Sequence, residues 1–145
     1  MVKTVEALCP FQGADGRLVG TTDFIFGEAT ALFVNCTIKS LKNSFITAAS
    51  TRENTRFGFV FMNCKLNAIE EVNAVYLGRP WRPFARTVFI ECDLGKHIRV
   101  EGWDPWKGDK MFPDKDKTAF YAEYKNVGPG ADVSKRAAWS KQLTK

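Results

Sequence analysis

Asp23 and Arg79 are the two residues whose types and placement could do chemistry together. Asp23 is the lone carboxylate of Thr21-Thr22-Asp23-Phe24-Ile25-Phe26-Gly27, and Arg79 lies in Tyr76-Leu77-Gly78-Arg79-Pro80-Trp81. A guanidinium close to a carboxylate favours its charged form, and charged carboxylates serve in covalent catalysis. The competing reading is a surface ion pair, which contributes little to stability. Either reading needs a fold that superimposes positions 56 residues apart.

A repeat supplies that superposition. Cysteines stand at positions 9, 36, 64 and 92, at intervals of 27, 28 and 28. Apolar residues lie two before and two after each of them: Ala7/Phe11, Val34/Ile38, Met62/Leu66 and Ile90/Leu94. Phe33, Phe61 and Phe89 recur three before the last three cysteines, with Asn35, Asn63 and Glu91 directly before them. Alternation at period two marks each segment as a strand, and the fixed interval marks a repeat. One such strand per coil, stacked in parallel on its copies, is an all-β solenoid. Counting 13 residues back from Cys36, Cys64 and Cys92 reaches Asp23, Thr51 and Arg79, which predicts one column with Thr51 as a small spacer. At about 4.8 Å per rung the outer two would stand roughly 9.6 Å apart, within reach of a guanidinium side chain.

Length and composition allow a single domain over residues 1–145, with twelve Phe and 45% hydrophobic residues to build a core. The net charge of +5 suits an acidic partner such as nucleic acid or a polyuronate. Basic residues are scattered apart from a Lys-rich zone at 107–117, without zinc-finger spacing or a basic helix, which argues against nucleic acid. His97 is the only histidine, so neither a metal centre nor a Ser-His-Asp triad is expected. No stretch is long and apolar enough to span a membrane, and none reads as a secretion signal. The cysteines read as small buried thiols in one interior column rather than as disulfides.

Residues 1–20 carry the least regular repeat, interrupted at Pro10 and at the turn Gly13-Ala14-Asp15-Gly16. Further strands are expected at Phe45–Ala49, Phe57–Cys64, Ala74–Trp81 and Arg86–Cys92. Pro80 cannot donate to a ladder, so 78–83 is expected to leave the sheet and project. An interval of 28 after Cys92 lands on Phe120, which predicts a last rung with Phe in place of Cys. Between them, Gly102-Trp103-Asp104-Pro105-Trp106-Lys107-Gly108 reads as an aromatic, turn-rich loop. The segment Ser134–Leu143 reads as a short helix capped by Ser134 and covering the end of the solenoid.

Gly20–Gly27, Tyr76–Trp81 and Gly102-Trp103 with Trp106 resemble successive motifs of the pectin methylesterases. So do Phe120–Tyr124, Gly128–Ala131 and Trp139–Thr144, and the order of all these motifs is the family's. The resemblance implies a right-handed single-stranded parallel β-helix with a short C-terminal helix or loop tail. It implies that Asp23 is the nucleophile on a galacturonate methyl ester and that Arg79 holds and charge-balances it. Trp81 and Trp103 would line the cleft for methylated polygalacturonate. Phe24 is a further substrate-binding candidate; it alternates with Phe26 around Ile25, and either ring could reach the cleft. The implied enzyme needs no cofactor and is secreted, to the extracellular space or the periplasm.

In the family, a Gln-Asp-Thr-Leu type segment one coil before the nucleophile supplies an acid/base Asp and an oxyanion-stabilising Gln. Here Cys9-Pro10-Phe11-Gln12-Gly13 resembles the lead-in to that segment but runs directly into Ala14-Asp15, with roughly fourteen residues fewer than the pattern. Two functions follow from this: an esterase built on Asp23 and Arg79, or an inactive remnant acting as a pectin-binding or structural module. A polyuronate lyase or hydrolase is a weaker third reading, because neither calcium-binding carboxylates nor paired acids stand out. With the first coils of the family missing, an apolar amino-terminal end is expected to self-associate.

Overall fold

The computed structural model describes residues 4–8 and 16–144. Its strands form three parallel sheets that wind around one core. The first sheet holds β1 (Thr4–Leu8), β4 (Thr30–Val34), β7 (Phe59–Met62), β10 (Arg86–Ile90), β12 (Phe120–Tyr124) and β13 (Lys141–Gln142), in that order. The second runs β11 (Asp93–Leu94), β8 (Lys65–Ala68), β5 (Thr37–Ser40) and β2 (Arg17–Gly20). The third runs β3 (Ile25–Gly27), β6 (Phe45–Ala49) and β9 (Tyr76–Pro80). Every neighbouring pair is parallel, so successive coils superimpose as the repeat predicts.

The recurring residues of the sequence are the recurring positions of the coil. Phe33, Phe61 and Phe89 face one another in register and stack with centroids 4.6 and 4.4 Å apart. That distance is the rung spacing itself, so each ring covers the next along the core. Asn35, Asn63 and Glu91 all take the left-handed conformation, with φ of 57°, 53° and 50°. They form the corner between the first and second sheets, a place where asparagine is favoured because its short polar side chain tolerates that region. Directly after the corner, Cys36, Cys64 and Cys92 turn inward and are buried. Cys64 and Cys92 are free thiols, as expected. Cys36 is disulfide-bonded rather than a thiol, and Cys9 lies outside the described residues.

The last rung does not fall where the interval of 28 placed it. Arg86 faces Phe120 and Ile90 faces Tyr124, an offset of 34. The extra residues belong to the excursion between β11 and β12, which carries the short helix α1 (Lys115–Thr118). Lys125 repeats the left-handed corner with φ 49°. Asn126, not Phe120, therefore follows Cys92. Its Oδ1 accepts from the Cys92 N–H (2.9 Å) and its Nδ2 donates to the Phe89 carbonyl (3.3 Å).

Two further expectations change. The stretch from Tyr76 to Pro80 stays in the sheet, with Pro80 as the last residue of an edge strand, where a missing donor is tolerated. The chain leaves only at Trp81. Residues 134–143 form a loop tail and β13 instead of a helix. Ser134 does not cap; its N–H is taken by Asp132 Oδ1 (2.9 Å). Arg136 turns inward instead, and its guanidinium closes on buried Glu123 at 2.8 and 2.9 Å. This pair stands at the end of the Phe33–Phe61–Phe89 column, since Phe89 faces Glu123.

Candidate active site

Asp23 and Arg79 meet at the third sheet, formed by β3, β6 and β9. Arg79 Nε donates to Asp23 Oδ1 at 3.1 Å, and Nη2 donates to Oδ2 at 2.7 Å, a bidentate pair. Both side chains are about one-fifth exposed, 19% for Arg79 and 21% for Asp23, so the pair is sheltered yet open to a ligand. Asp23 precedes β3 in a bend with φ 48°, an uncommon conformation for a residue with a side chain. Its N–H donates to the Phe45 carbonyl (2.8 Å), which fixes the bend against the neighbouring coil.

The register differs from the predicted column. Arg79 faces Ala48, and Ala48 faces Phe26, so Arg79 stands three positions along the strand from Asp23. Thr51 is not the spacer. It is buried at the following turn, where its Oγ1 accepts from the Arg86 N–H (3.0 Å). Arg79 instead crosses the ring of Phe45, with its guanidinium carbon 3.9 Å from the centroid. The guanidinium also lies over the indole of Trp106, at 3.6 Å. Phe45 is backed by Tyr76, stacked at 5.2 Å. Gly78 is needed for this packing, because a methyl there would collide with Thr47 Oγ1.

The aromatic residues sort differently from expectation. Trp81 does flank the site, partly exposed, with its ring edge-on to Phe26 at 5.9 Å. Phe26 is 63% exposed. Phe24 is half-buried against the core, so of the two alternating rings it is Phe26 that is exposed. Trp103 is 1% exposed and packs between Phe89 and Tyr121, with its Nε1 donating to Glu123 (3.4 Å). A ring that deep lines no cleft. The cleft indole is Trp106, three residues on, turned out by an Asx turn in which its N–H donates to Asp104 Oδ1 (2.7 Å). Two tryptophans separated by Asp-Pro cannot both continue one strand face, and that spacing was the available signal.

Beside Trp81 lies a polar cavity of about 410 Å³, lined by Glu28, Thr51, Arg52, Arg82 and Pro83 among others. The exposed Arg52–Glu28 ion pair (2.7 Å) contributes both of its residues to the lining. Arg82 lies over Trp81 at 5.0 Å and over Phe112 at 5.8 Å. The lining thus sets the Trp81 indole beside two arginines, Arg52 and Arg82, and two glutamates, Glu28 and Glu53, an aromatic surface of mixed charge. Gln12 and Asp15, in and just after the stretch that resembles the lead-in to the family's Gln-Asp segment, lie outside the described residues. No helix among the described residues is long and apolar enough to cross a membrane.

Coil on coil of parallel strands, with a carboxylate–guanidinium pair among aromatic rings, defines a parallel β-helix that carries a candidate active site. The family model described as Pectinesterase matches residues 12–144. The chain belongs to the pectinesterase family. It is 40% identical over 148 residues to an Arabidopsis thaliana protein named probable pectinesterase/pectinesterase inhibitor 64, covering 88% of this chain and 24% of that one. It is 41% identical to putative pectinesterase 11 of the same plant, covering 86% and 34%. Among solved structures, the pectin methylesterase from carrot superimposes with a TM-score of 0.80 at 31% identity, covering 89% of this chain and 44% of that one. A pectin methylesterase in complex with a hexasaccharide superimposes with a TM-score of 0.73 at 33% identity, covering 88% and 45%. The chain thus spans about a quarter to a third of these curated relatives and under half of these solved structures.

Proposed function

We propose that this chain is a carboxylic ester hydrolase that removes methyl groups from polygalacturonate, with Asp23 as nucleophile. The observation that carries this reading is the bidentate Arg79–Asp23 pair, partly exposed and held between aromatic rings. Arg79 holds both carboxylate oxygens in a fixed plane, which aims Asp23 without tying it to a strand ladder. An Asp23 oxygen attacks the ester carbonyl; the C–O bond to the methoxy group breaks, and the departing methoxide takes a proton from a water molecule and leaves as methanol. The hydroxide so formed opens the anhydride, which returns the Asp23 carboxylate and frees the galacturonate carboxyl. Trp81 and the exposed Phe26 offer aromatic surface to the sugars, and the net charge of +5 favours an anionic polymer. The substrate class is also that of the family, and a relative has been solved with a hexasaccharide bound. Secretion to the cell wall or periplasm belongs to the same proposal.

A second reading has its own observation. The chain contains two glutamines, Gln12 and Gln142, and Gln142 donates to Glu123 (3.2 Å) at the carboxy-terminal end of the core. No described glutamine therefore stands beside Asp23. Loss of one oxyanion donor costs roughly a hundredfold or more in turnover, so a pectin-binding module is the alternative. Methanol release and polymer binding, measured on the same preparation, separate the two. Methanol release supports the esterase, and binding without methanol supports the module.

A further inference from the structure

Lys115 is a lysine in an unusual place. Its side chain is 0% exposed, although it lies on α1 in the most lysine-rich part of the chain. Burying an ammonium costs several kcal/mol unless its donors are satisfied and its charge is paired. Here Nζ donates to Asp109 Oδ2 at 2.7 Å and to the Trp81 carbonyl at 3.5 Å. It also lies over the indole of Trp106, 4.3 Å from the centroid. One buried cation therefore touches the backbone of one cleft tryptophan and the ring of the other.

The same indole lies against the site. Trp106 carries Arg79 at 3.6 Å as well as Lys115 at 4.3 Å, and Arg79 is enclosed on another side by Phe45 at 3.9 Å. The contacts form a continuous series: Asp109 to Lys115, Lys115 to Trp106, Trp106 to Arg79, Arg79 to Asp23. Trp106 sits in a loop, between an Asx turn at Asp104 and a second one in which Asp109 Oδ1 accepts from the Met111 N–H (2.9 Å). Such a loop does not hold a ring in one orientation by hydrogen-bonded ladders. Other clasps, Lys107 to Asp116 (2.8 Å) and Lys117 to Asp114 (3.4 Å), have their lysines in solvent and are weaker anchors.

We propose that Lys115, anchored by Asp109, is a positioning residue for the Arg79–Asp23 pair and acts through Trp106. It pins the 103–117 excursion onto the coil so that the indole closes on the Arg79 guanidinium. Arg79 is then confined between two rings in the single orientation that presents a fork to Asp23. The kinetic consequence rests on the ester hydrolysis proposed above; the positioning itself does not.

The test uses the full chain labelled with ¹⁵N, in which the Arg79 Nε–H reports its surroundings directly. Lying between two ring faces and bonded to Asp23, this proton is shifted by ring currents and protected from exchange. In Lys115→Met, which keeps length and apolar volume but removes the charge, the shift is expected to collapse and exchange to quicken. Asp109→Asn is expected to act in the same direction and Asp109→Glu to preserve the wild-type signal. This pair decides the matter if Lys115→Met does not fold. In parallel, kcat for methanol release should fall about tenfold in Lys115→Met, the scale of a small misplacement of a reacting group, with KM within about twofold. An Arg79 signal unchanged in a folded Lys115→Met or Asp109→Asn protein would overturn the proposal. So would Asp109→Glu behaving like Asp109→Asn. A wild-type chain releasing no methanol would overturn the esterase reading alone, because the Arg79 signal still decides the positioning.

Discussion

Arg79 grips Asp23 through two hydrogen bonds, 3.1 and 2.7 Å, although the two residues do not share a column of the solenoid. Arg79 lies in register with Ala48 and Phe26, so its side chain must run diagonally over Phe45 to reach the carboxylate. The contact is thus made by a planar cation sliding along an aromatic surface, and both features matter to what substitutions should do.

Arg79→Lys keeps the charge but loses the fork and both stacked faces. Methanol release is expected to fall by about two orders of magnitude, the usual scale for losing a positioned electrostatic partner. Urea denaturation should show a change of about 1 kcal/mol or less, because the pair is partly exposed. A loss of stability as large as the loss of turnover would make Arg79 a structural residue instead.

The two neighbouring tryptophans should separate cleanly. Trp103→Ala removes a ring that is 1% exposed, and is expected to cost about 3–5 kcal/mol of stability. Trp106→Ala should leave stability within about 1 kcal/mol while lowering methanol release. Thermal unfolding together with kinetics on both variants checks the assignment, and equal destabilisation by both would contradict it.

Glu123 and Arg136 form an ion pair whose side chains are 2% and 3% exposed, with Trp103 and Gln142 as further donors to the carboxylate. Arg136→Met strands a buried carboxylate and should cost about 3–5 kcal/mol. Adding Glu123→Leu should recover part of that loss, since the stranded charge is then gone. A double variant less stable than the single one would contradict this, showing that Trp103 and Gln142 suffice to hold the Glu123 carboxylate without Arg136.

His97 is buried, and burial lowers its pKa from the usual 6.5 to about 4. The unfolded chain therefore takes up this proton at a higher pH than the folded one. Stability from neutral His97 is complete above pH 6.5 and is lost as pH falls from there towards 4. The full effect is about 3 kcal/mol at about 1.4 kcal/mol per pKa unit. Urea midpoints between pH 7 and pH 4 should thus fall more steeply for the wild type than for His97→Phe; parallel profiles would contradict the burial argument.

Much of the fold was legible because a solenoid must place the same kind of residue at the same point of each coil. The Phe33–Phe61–Phe89 stack and the left-handed residues before Cys36, Cys64 and Cys92 appear in the sequence as intervals of 28. The interval fails where the chain is free to wander between sheets. The third sheet pairs Ile25 with Thr47 and Thr47 with Gly78, offsets of 22 and 31, so a count of 13 from the cysteines misplaced Thr51. The 34-residue step from Arg86 to Phe120 hid the last rung for the same reason. Trp106 and Lys115 were missed because a loop has no period: what places them is contact with Arg79, Asp109 and Trp81, all distant or irregular in sequence.

The nucleophilic role of Asp23 is tested most directly by methanol release from methylated polygalacturonate, comparing the wild-type chain with Asp23→Asn at matched thermal stability. The amide retains the shape and can still accept from Arg79, but it cannot form the anhydride. Methanol should appear with the wild type and fall to background with Asp23→Asn, while polymer binding persists. Equal methanol release by the two proteins would contradict the role assigned to Asp23.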